Sequence, residues 1–425
     1  MSYMTVPNAV LATALAATLF AGVVSAQTFG SSSGLALGTK VTVVEGTQQI
    51  SPPAAQFSTM GDVQLAWFDK DKERRALRTV RMNEDGRPAS PVVQVNQPAS
   101  EPDALHQAPG LSLSSKDAPM LTWSTAKAGA TFAADLVLAG STDRGATFDA
   151  PVLVNDDGKS INHTFESVLA DGDRTVYLAW LDARGKDKSG AAALFACSRD
   201  GGKTIEKNYV IDGMACPCCR PSAAVAPDGS LWVAWRKTFE GNVRDIVLAQ
   251  STDQGRTFSA PILVHKDGWA FPACPHRGPS LGFDRAGRLY LGWYTEGTDE
   301  QPRLLFTISD DQGHTFAPPQ SLHTSMNSLP DQLRMAVHPD GAVIAVWEEV
   351  TGVRKRVVMR VSTDRGSSFA PVQSLSDGAK AETPTVAIHE KGTVAVAWTE
   401  HAWPNNRIVM QMGRLNSSQR VASQP

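Results

Sequence analysis

Two short cysteine-rich motifs contain the residues of this chain that are best suited to chemistry. The first reads MACPCCR at residues 214–220, and the second reads PACPHR at residues 272–277. Thiolates combined with an imidazole are ligands that soft metal ions such as Cu(I) and Zn(II) prefer. If the two motifs meet in space, we expect a metal centre, with copper favoured and zinc as the alternative, formed by Cys216, Cys218, Cys219, Cys274 and His276.

The same cysteines could instead form disulfides, because four clustered thiols can form two bridges in an oxidising compartment. A bridge between the adjacent Cys218 and Cys219 would be strained, with unusual redox behaviour. Spacing alone does not separate a metal centre, structural disulfides and a redox pair, so these three hypotheses stay open. The fifth cysteine, Cys197, lies in a short apolar stretch and is expected to pack as a small buried hydrophobe.

Three arginines follow one another at intervals of 57 residues, namely Arg220, Arg277 and Arg334. Guanidinium groups that converge would bind a carboxylate, a sulfate or a phosphate. Their alternative role is to form ion pairs with neighbouring loops. Histidines His106 and His163 precede other repeats of the chain and are expected at the surface.

Tyr294 and Glu296 lie two residues apart, and strand alternation places their side chains on the same side. Such a pair could act as nucleophile and base in a glycoside hydrolase, which needs two groups about 5 Å apart when it retains configuration. The competing interpretation is that these residues only solvate a loop.

An eight-residue phrase with the pattern Ser-x-Asp-x-Gly indicates the elements that position these residues. It occurs five times, 53 to 58 residues apart, and the copies begin at Ser141, Ser198, Ser251, Ser309 and Ser362. A period of this length favours the blades of a β-propeller. In each copy, Asp can fold its carboxylate onto backbone amides, and Gly supplies a positive φ, so each copy predicts a tight turn between strands. The aromatic residue that ends most copies is expected to anchor the turn against its own blade.

A second repeat counts the blades. A short apolar strand that contains Trp recurs in phase with the turns, at Trp67, Trp123, Trp180, Trp235, Trp293, Trp347 and Trp398. We therefore expect seven blades, with the tryptophans packed between them. The last unit has only three strands, and residues 39–44 are expected to supply the fourth and close the ring.

The eight-residue phrase resembles the Asp-box, or BNR repeat, of sialidase-like β-propellers, over most of the chain. The resemblance implies an all-β fold: a seven-bladed, sialidase-like β-propeller. Sialidases bind a carboxylate with an arginine triad and use a Tyr/Glu pair, roles that would fall here to Arg220, Arg277, Arg334, Tyr294 and Glu296. The Arg-Ile-Pro signature of the family is absent, since residues 56–60 read QFSTM. A hydrolase acting on an acidic sugar is therefore the alternative to metal handling, and a disulfide-stapled protein-docking propeller is a third hypothesis.

The N-terminus predicts export. An apolar, alanine-rich run is followed by Val24-Ser25-Ala26, a small-residue cleavage pattern. We expect a signal peptide at 1–26, a flexible segment at 27–36, the propeller at 37–415 and a disordered tail at 416–425. The mature protein should be periplasmic or secreted, without a membrane anchor. A formal net charge of −3 argues against nucleic acid as a partner. The expected partners are a metal ion and a periplasmic protein.

Overall fold

The computed structural model describes residues 34–416, apart from 47–48, 72–73, 104–105, 128, 131–132, 185–189, 378–379 and 403. The expected signal peptide, most of the flexible segment and all but the first residue of the expected tail lie outside the described residues. Seven four-stranded antiparallel sheets form a seven-bladed β-propeller, so the predicted fold class is confirmed.

The strands are numbered in chain order and follow one another within each blade. The first blade contains β2 (Ala54–Phe57), β3 (Val63–Asp71), β4 (Arg74–Met82) and β5 (Val93–Gln94). The second contains β6 (Gly110–Leu113), β7 (Pro119–Ala126), β8 (Ala134–Gly140) and β9 (Val152–Leu153). The third contains β10 (His163–Asp171), β11 (Thr175–Asp182), β12 (Ala191–Ser198) and β13 (Tyr209–Ala215). The fourth contains β14 (Ser222–Val225), β15 (Leu231–Arg236), β16 (Ile246–Ser251) and β17 (Ile262–Leu263).

The remaining blades continue the pattern until the ring closes. The fifth blade contains β18 (Ser280–Phe283), β19 (Leu289–Thr295), β20 (Arg303–Ser309) and β21 (Gln320–Ser321). The sixth contains β22 (Leu329–Val337), β23 (Val343–Thr351), β24 (Arg354–Ser362) and β25 (Gln373–Ser374). The seventh contains β26 (Ala381–Ile388), β27 (Thr393–Ala402), β28 (Asn405–Leu415) and the N-terminal strand β1 (Leu35–Gly46), which pairs with β28. The predicted closing strand is therefore confirmed, and it is longer at both ends than residues 39–44.

The hydrophobic core is divided among the gaps between adjacent blades. One cluster of buried side chains fills each gap, including the gap between the seventh blade and the first. The seven repeated tryptophans lie on the second strand of their blades, and each is at most 1% exposed. Their predicted role as packing residues between blades is confirmed, because a large ring can fill the space between two twisted sheets.

The repeated phrase forms the turn between the third and fourth strands. In the second blade, the Gly145 amide donates to Ser141 Oγ at 2.9 Å, and the Thr147 amide donates to Asp143 Oδ1 at 2.8 Å. Gly145 has φ +85°, a conformation that glycine adopts without strain. The aromatic residue was expected to pack on its own blade, and Phe258 does belong to a cluster with Val247 and Ala249 of its own blade, but it also contacts the preceding blade. The ring of Phe258 lies 5.0 Å from that of Phe195 in the preceding blade, because the apolar space to be filled lies between the sheets.

Two short 3-10 turns, Pro98–Ser100 and Glu240–Asn242, complete the described secondary structure. Within the described ranges, no helix is long and apolar enough to cross a membrane.

Candidate metal centre

Three cysteines meet in the loop that leads from the third blade into the fourth. Cys216, Cys218 and Cys219 are 0%, 3% and 1% exposed, and their sulfur atoms all lie within 4.8 Å of one another. The Sγ atom of Cys216 is 3.3 Å from that of Cys219 and 3.9 Å from that of Cys218. All three are free thiols. We call these three residues the thiol cluster.

A buried guanidinium group donates a hydrogen bond to the thiol cluster. Arg244 is 6% exposed, and its Nη1 atom lies 2.9 Å from Cys216 Sγ. Because a guanidinium can only donate, Cys216 accepts this bond, and the thiol of Cys218 can donate to the same sulfur. The hydrogen bonds with Cys218 and Cys219, and after them the charge of Arg244, hold the pKa of Cys216 well below its usual range. The sulfur of Cys216 is therefore the thiolate of the cluster.

The other two thiols hold their protons more tightly in the metal-free protein. The hydrogen bonds with Cys216 and Cys219, and then burial, raise the pKa of Cys218. Burial, and then the hydrogen bond with Cys216, raises the pKa of Cys219, while the charge of Arg236 opposes this shift. A metal ion that bound all three sulfurs would displace these two protons, as metal binding to thiols generally does.

Arg236 connects the loops that precede the fourth and fifth blades. Its side chain is 0% exposed and donates to the carbonyl oxygens of Arg277, Arg244 and Tyr294 at 3.0, 2.6 and 2.6 Å. The Arg236 guanidinium also lies 4.8 Å from the ring centre of Trp269. The backbone amide of Cys216 donates to the carbonyl oxygen of Arg236 at 2.8 Å, so Arg236 contacts both loops that carry the cysteine motifs.

Glycine at position 278 allows this approach. A Cβ atom added to Gly278 would lie 2.0 Å from the carbonyl oxygen of Arg220, which is far inside van der Waals contact. Gly278 and the buried Arg236 thus allow the two cysteine motifs to approach each other.

The structure brings together three of the five predicted metal ligands. Cys274 is exposed and lies outside the group of sulfur atoms that are within 4.8 Å of one another. His276 is exposed, has φ +56°, and is likewise not part of that group. Its ring centre lies 5.6 Å from that of Phe165 and 6.2 Å from that of His106.

A cavity of about 420 Å³ occupies the central channel. Its lining comes from all seven blades, at the beginning of their first strands. The side chains in this lining that are suited to binding are Cys218, Arg220, Arg334, His106 and His276. The thiol cluster therefore borders the central channel through Cys218.

The three predicted arginines differ in their contacts. Arg277 binds Asp331 with two hydrogen bonds of 2.7 and 2.8 Å, and its guanidinium stacks 4.1 Å from the ring centre of Tyr294. Arg220 donates to Ala108 O at 2.7 Å, and Arg334 also reaches the channel cavity. Arg220 and Arg334 therefore face the channel, whereas Arg277 is held by Asp331 in the first strand of the sixth blade.

The predicted Tyr/Glu pair is present as a direct contact. The Tyr294 hydroxyl donates to Glu296 Oε1 at 2.5 Å, and Arg277 Nη1 lies 4.0 Å from the same oxygen. Tyr294 is only 3% exposed and packs against Trp269, and burial together with Glu296 raises the pKa of its hydroxyl. Neither residue of the pair belongs to the described lining of the channel cavity.

Several residues with a role at these sites were missed from the sequence. Arg244 and Arg236 were not identified, although a charged residue inside the apolar strand β15 was a usable signal. His163 was expected at the surface, and this is wrong: it is 0% exposed, and its Nδ1 and Nε2 atoms lie 2.7 Å from Ala134 O and 3.1 Å from Asp157 Oδ1. Cys197 is buried as expected. Burial, and then Glu206, raises the pKa of its thiol to about 12.

Comparison with known proteins agrees with the fold. The sequence profile of the BNR repeat-like domain matches residues 65–268. The chain is therefore similar to BNR repeat-like domains in sequence over these residues, and its fold is a sialidase-like propeller. No curated protein matches it in sequence.

Solved structures show the same architecture at low identity. The polysaccharide lyase Uly1 is 12% identical, with a TM-score of 0.58 over 90% of this propeller chain and 100% of that chain. An ulvan lyase of polysaccharide lyase family PL25, bound to -[GlcA(1-4)Rha3S]-, is 11% identical, with a TM-score of 0.52 over 76% and 81%. The Hadza microbial sialidase Hz136 is 15% identical, with a TM-score of 0.51 over 83% and 73%. The propeller thus shares its fold with glycoside hydrolases and polysaccharide lyases, and this likeness concerns the fold alone.

Proposed function

We propose that this propeller binds one soft metal ion, Cu(I) in the first place, through Cys216, Cys218 and Cys219. The observation that carries the proposal is the convergence of three buried sulfurs within 4.8 Å of one another. A metal about 2.3 Å from each of three sulfurs requires them to be roughly 3.8 to 4.0 Å apart, for tetrahedral and trigonal geometry respectively. The measured separations of 3.3 and 3.9 Å need only small side-chain rotations to meet this requirement.

The number of ligands favours copper over zinc. Structural zinc is almost always bound by four protein ligands, whereas soft thiolates suit Cu(I). The charge balance agrees: three thiolates and one Cu(I) carry a net charge of −2, which Arg244 beside Cys216 and the nearby Arg236 can offset. Buried charge is costly unless it is compensated in this way.

We place this function in the periplasm or outside the cell, following the expected signal peptide at residues 1–26. There the protein would hold copper, and a periplasmic protein that exchanges the metal would be its partner. If the thiols are oxidised to a disulfide in that compartment, the site would bind no metal until they are reduced.

Metal content is the direct test. The protein is expressed with its N-terminus intact, purified without oxygen or chelators, and analysed by mass spectrometry for copper and zinc. We expect close to one copper per chain and a copper–sulfur distance near 2.3 Å in X-ray absorption spectra. Cys216→Ser should lose the metal, whereas Cys197→Ser and Cys274→Ser are the matched controls and should retain it. Metal-free wild type after reduction and reconstitution with Cu(I) would refute the proposal.

A carbohydrate-active enzyme is the second candidate, favoured by the direct Tyr294–Glu296 hydrogen bond and by the cationic channel. It predicts cleavage of a fluorogenic sialoside, or of a uronate-containing polysaccharide with formation of an unsaturated product. Such activity should be lost in Tyr294→Phe and kept in Cys216→Ser. Absence of turnover on both substrate types would remove this candidate.

A further inference from the structure

The central channel carries positive charge without a counter-ion in its lining. Arg220 and Arg334 border the cavity, and no Asp or Glu belongs to its described lining. Arg220 donates to Gln107 Oε1 and Ala108 O, and Arg334 donates to Leu333 O. These acceptors are uncharged, so the two guanidinium groups keep their positive charge in the channel.

Two carboxyl groups interact with these arginines from outside the cavity lining. Asp331 accepts two hydrogen bonds from Arg277 and also interacts with the charge of Arg334. Glu166 is 3% exposed, interacts with the charge of Arg220, and does not belong to the lining of the cavity. Burial, and then the charge of Arg220, lowers the pKa of Arg334 to about 10, so this group is still cationic at neutral pH. A cavity of this kind attracts anions and repels cations.

The same cavity gives access to the thiol cluster. Of its three cysteines, Cys218 alone belongs to the lining of the channel cavity, whereas Cys216 and Cys219 lie behind it. A bare metal cation that reached Cys218 through the channel would enter a cavity that two guanidinium groups also line. The positive charges of Arg220 and Arg334 therefore repel a free Cu(I) ion. They attract a copper complex whose net charge is negative.

We propose that the metal reaches the cluster through the central channel as an anionic complex with a small carboxylate-bearing thiol. Arg220 and Arg334 bind the carboxylate of this carrier, and Cys218 takes the metal from the carrier sulfur. The inference rests on the proposed metal-binding function, and it adds the form in which the metal arrives and the residues that select this form.

The exchange is a ligand substitution and needs no redox partner. The bond between Cu(I) and the carrier thiolate breaks, and a bond between Cu(I) and Cys218 Sγ forms. The proton of the Cys218 thiol leaves with the carrier, which departs as a neutral thiol group with its carboxylate. Copper remains Cu(I); Cys216 then binds it as a thiolate, and Cys219 binds it after releasing its proton to solvent.

The test compares carriers that differ only in charge. Cu(I) is supplied without oxygen as its complex with 3-mercaptopropionate, which is anionic, with 2-mercaptoethanol, which is neutral, or with cysteamine, which is cationic. The rate of metal transfer to the reduced protein is followed by stopped-flow ultraviolet absorbance of the copper–thiolate bonds.

We expect the anionic carrier to load wild type at least about tenfold faster than the cationic carrier, the lower end of what electrostatic focusing provides. Arg334→Gln should remove most of this preference without changing the amount of copper bound at the end, and Arg334→Lys should keep most of it. Arg285→Gln is the matched control, because it removes the same charge from an exposed arginine that pairs with Asp340 away from the cavity lining.

Equal loading rates for the three carriers in wild type would overturn the inference, as would a preference that survives Arg334→Gln unchanged. Failure of the underlying metal site gives a different result: no carrier of any charge would load the protein, or loading would continue in Cys216→Ser.

Discussion

Removal of the guanidinium group beside the thiol cluster should raise the pKa of its thiolate. Arg244 donates to Cys216 Sγ at 2.9 Å from a position that is 6% exposed, so water does not replace it readily. A hydrogen bond to a charged group contributes about 1.5–3 kcal/mol. One pKa unit corresponds to about 1.4 kcal/mol, so Arg244→Met should raise the pKa of Cys216 by about 1 to 2 units.

The assay is the ultraviolet absorbance of thiolate in the reduced, metal-free protein as a function of pH. Wild type should show one thiolate at a pH at which free cysteine is protonated, and the midpoint should move upward in Arg244→Met. Cys216→Ser identifies the signal, because it should abolish it. An unchanged midpoint in Arg244→Met, or a signal that persists in Cys216→Ser, would refute the assignment of the thiolate.

The same shift has a consequence for stability. The pKa of Cys216 is lower in the folded protein than in the unfolded chain, so the folded state binds fewer protons between these two values. Stability should therefore rise with pH until the unfolded thiol itself ionises near about 8.5, and it should fall as the pH decreases toward the folded pKa. Arg244→Met should narrow the pH range over which stability rises, because a higher folded pKa moves the lower, acidic end of that range upward; chemical unfolding curves measured from acidic to mildly alkaline pH would show this.

Three further predictions concern the loops, the turns and the Tyr/Glu pair. Gly278→Ala should lower the free energy of unfolding by about 1–3 kcal/mol, since its Cβ would overlap the Arg220 carbonyl oxygen, while Gly46→Ala, which meets open space, should change little in thermal unfolding scans. Hydrogen bonds from the threonine of its own turn lower the pKa of Asp143 to about 2, so its stabilising effect should be present above the unfolded pKa near about 3.9 and be lost as the pH falls toward 2. Carboxyl NMR titration would measure that pKa, and a normal value would contradict the turn geometry. Tyr294→Phe should cost about 1–3 kcal/mol in denaturant unfolding, because it removes a hydrogen bond to a carboxyl group that is only 21% exposed, and a neutral effect would indicate that the hydroxyl contact is absent.

The number and order of the blades could be predicted because the signals are local and repeated. Each eight-residue phrase contains its own donors, acceptors and glycine, and each tryptophan strand carries its own burial pattern. The apolar strand expected to contain Trp235, for example, is observed as β15 (Leu231–Arg236). Seven copies of such a pattern leave little choice of architecture, because each blade needs a neighbour to cover its apolar faces.

The candidate metal site could be predicted only in part. The three cysteines of the MACPCCR motif are within four residues of one another, so their proximity followed from the sequence. Whether the second motif joins them depends on two backbone segments about 57 residues apart. The structure brings these segments together at Gly278 and Arg220, but it leaves Cys274 exposed, outside the thiol cluster.

The contacts of the three arginines show why the rest of the site could not be predicted from the sequence. Arg220, Arg277 and Arg334 have the same spacing and occupy equivalent places before or within the first strands of their blades, so nothing in the sequence distinguishes them. In the structure, Asp331 captures Arg277, and the other two face the channel. The ion pair between Arg277 and Asp331 forms only because side chains from two blades lie within a few ångströms of each other. The repeated sequence pattern does not predict that distance.

The sequence by itself determined the propeller, the number of its blades, the closing strand and the cysteine motif, because these features arise from local hydrogen bonding and periodic burial. Only the tertiary structure decided that Arg244 faces Cys216, that Cys218 borders the channel, and that two guanidinium groups line the same cavity. Those decisions depend on distances between side chains from different blades, and such distances are fixed only when the ring closes and the blades pack.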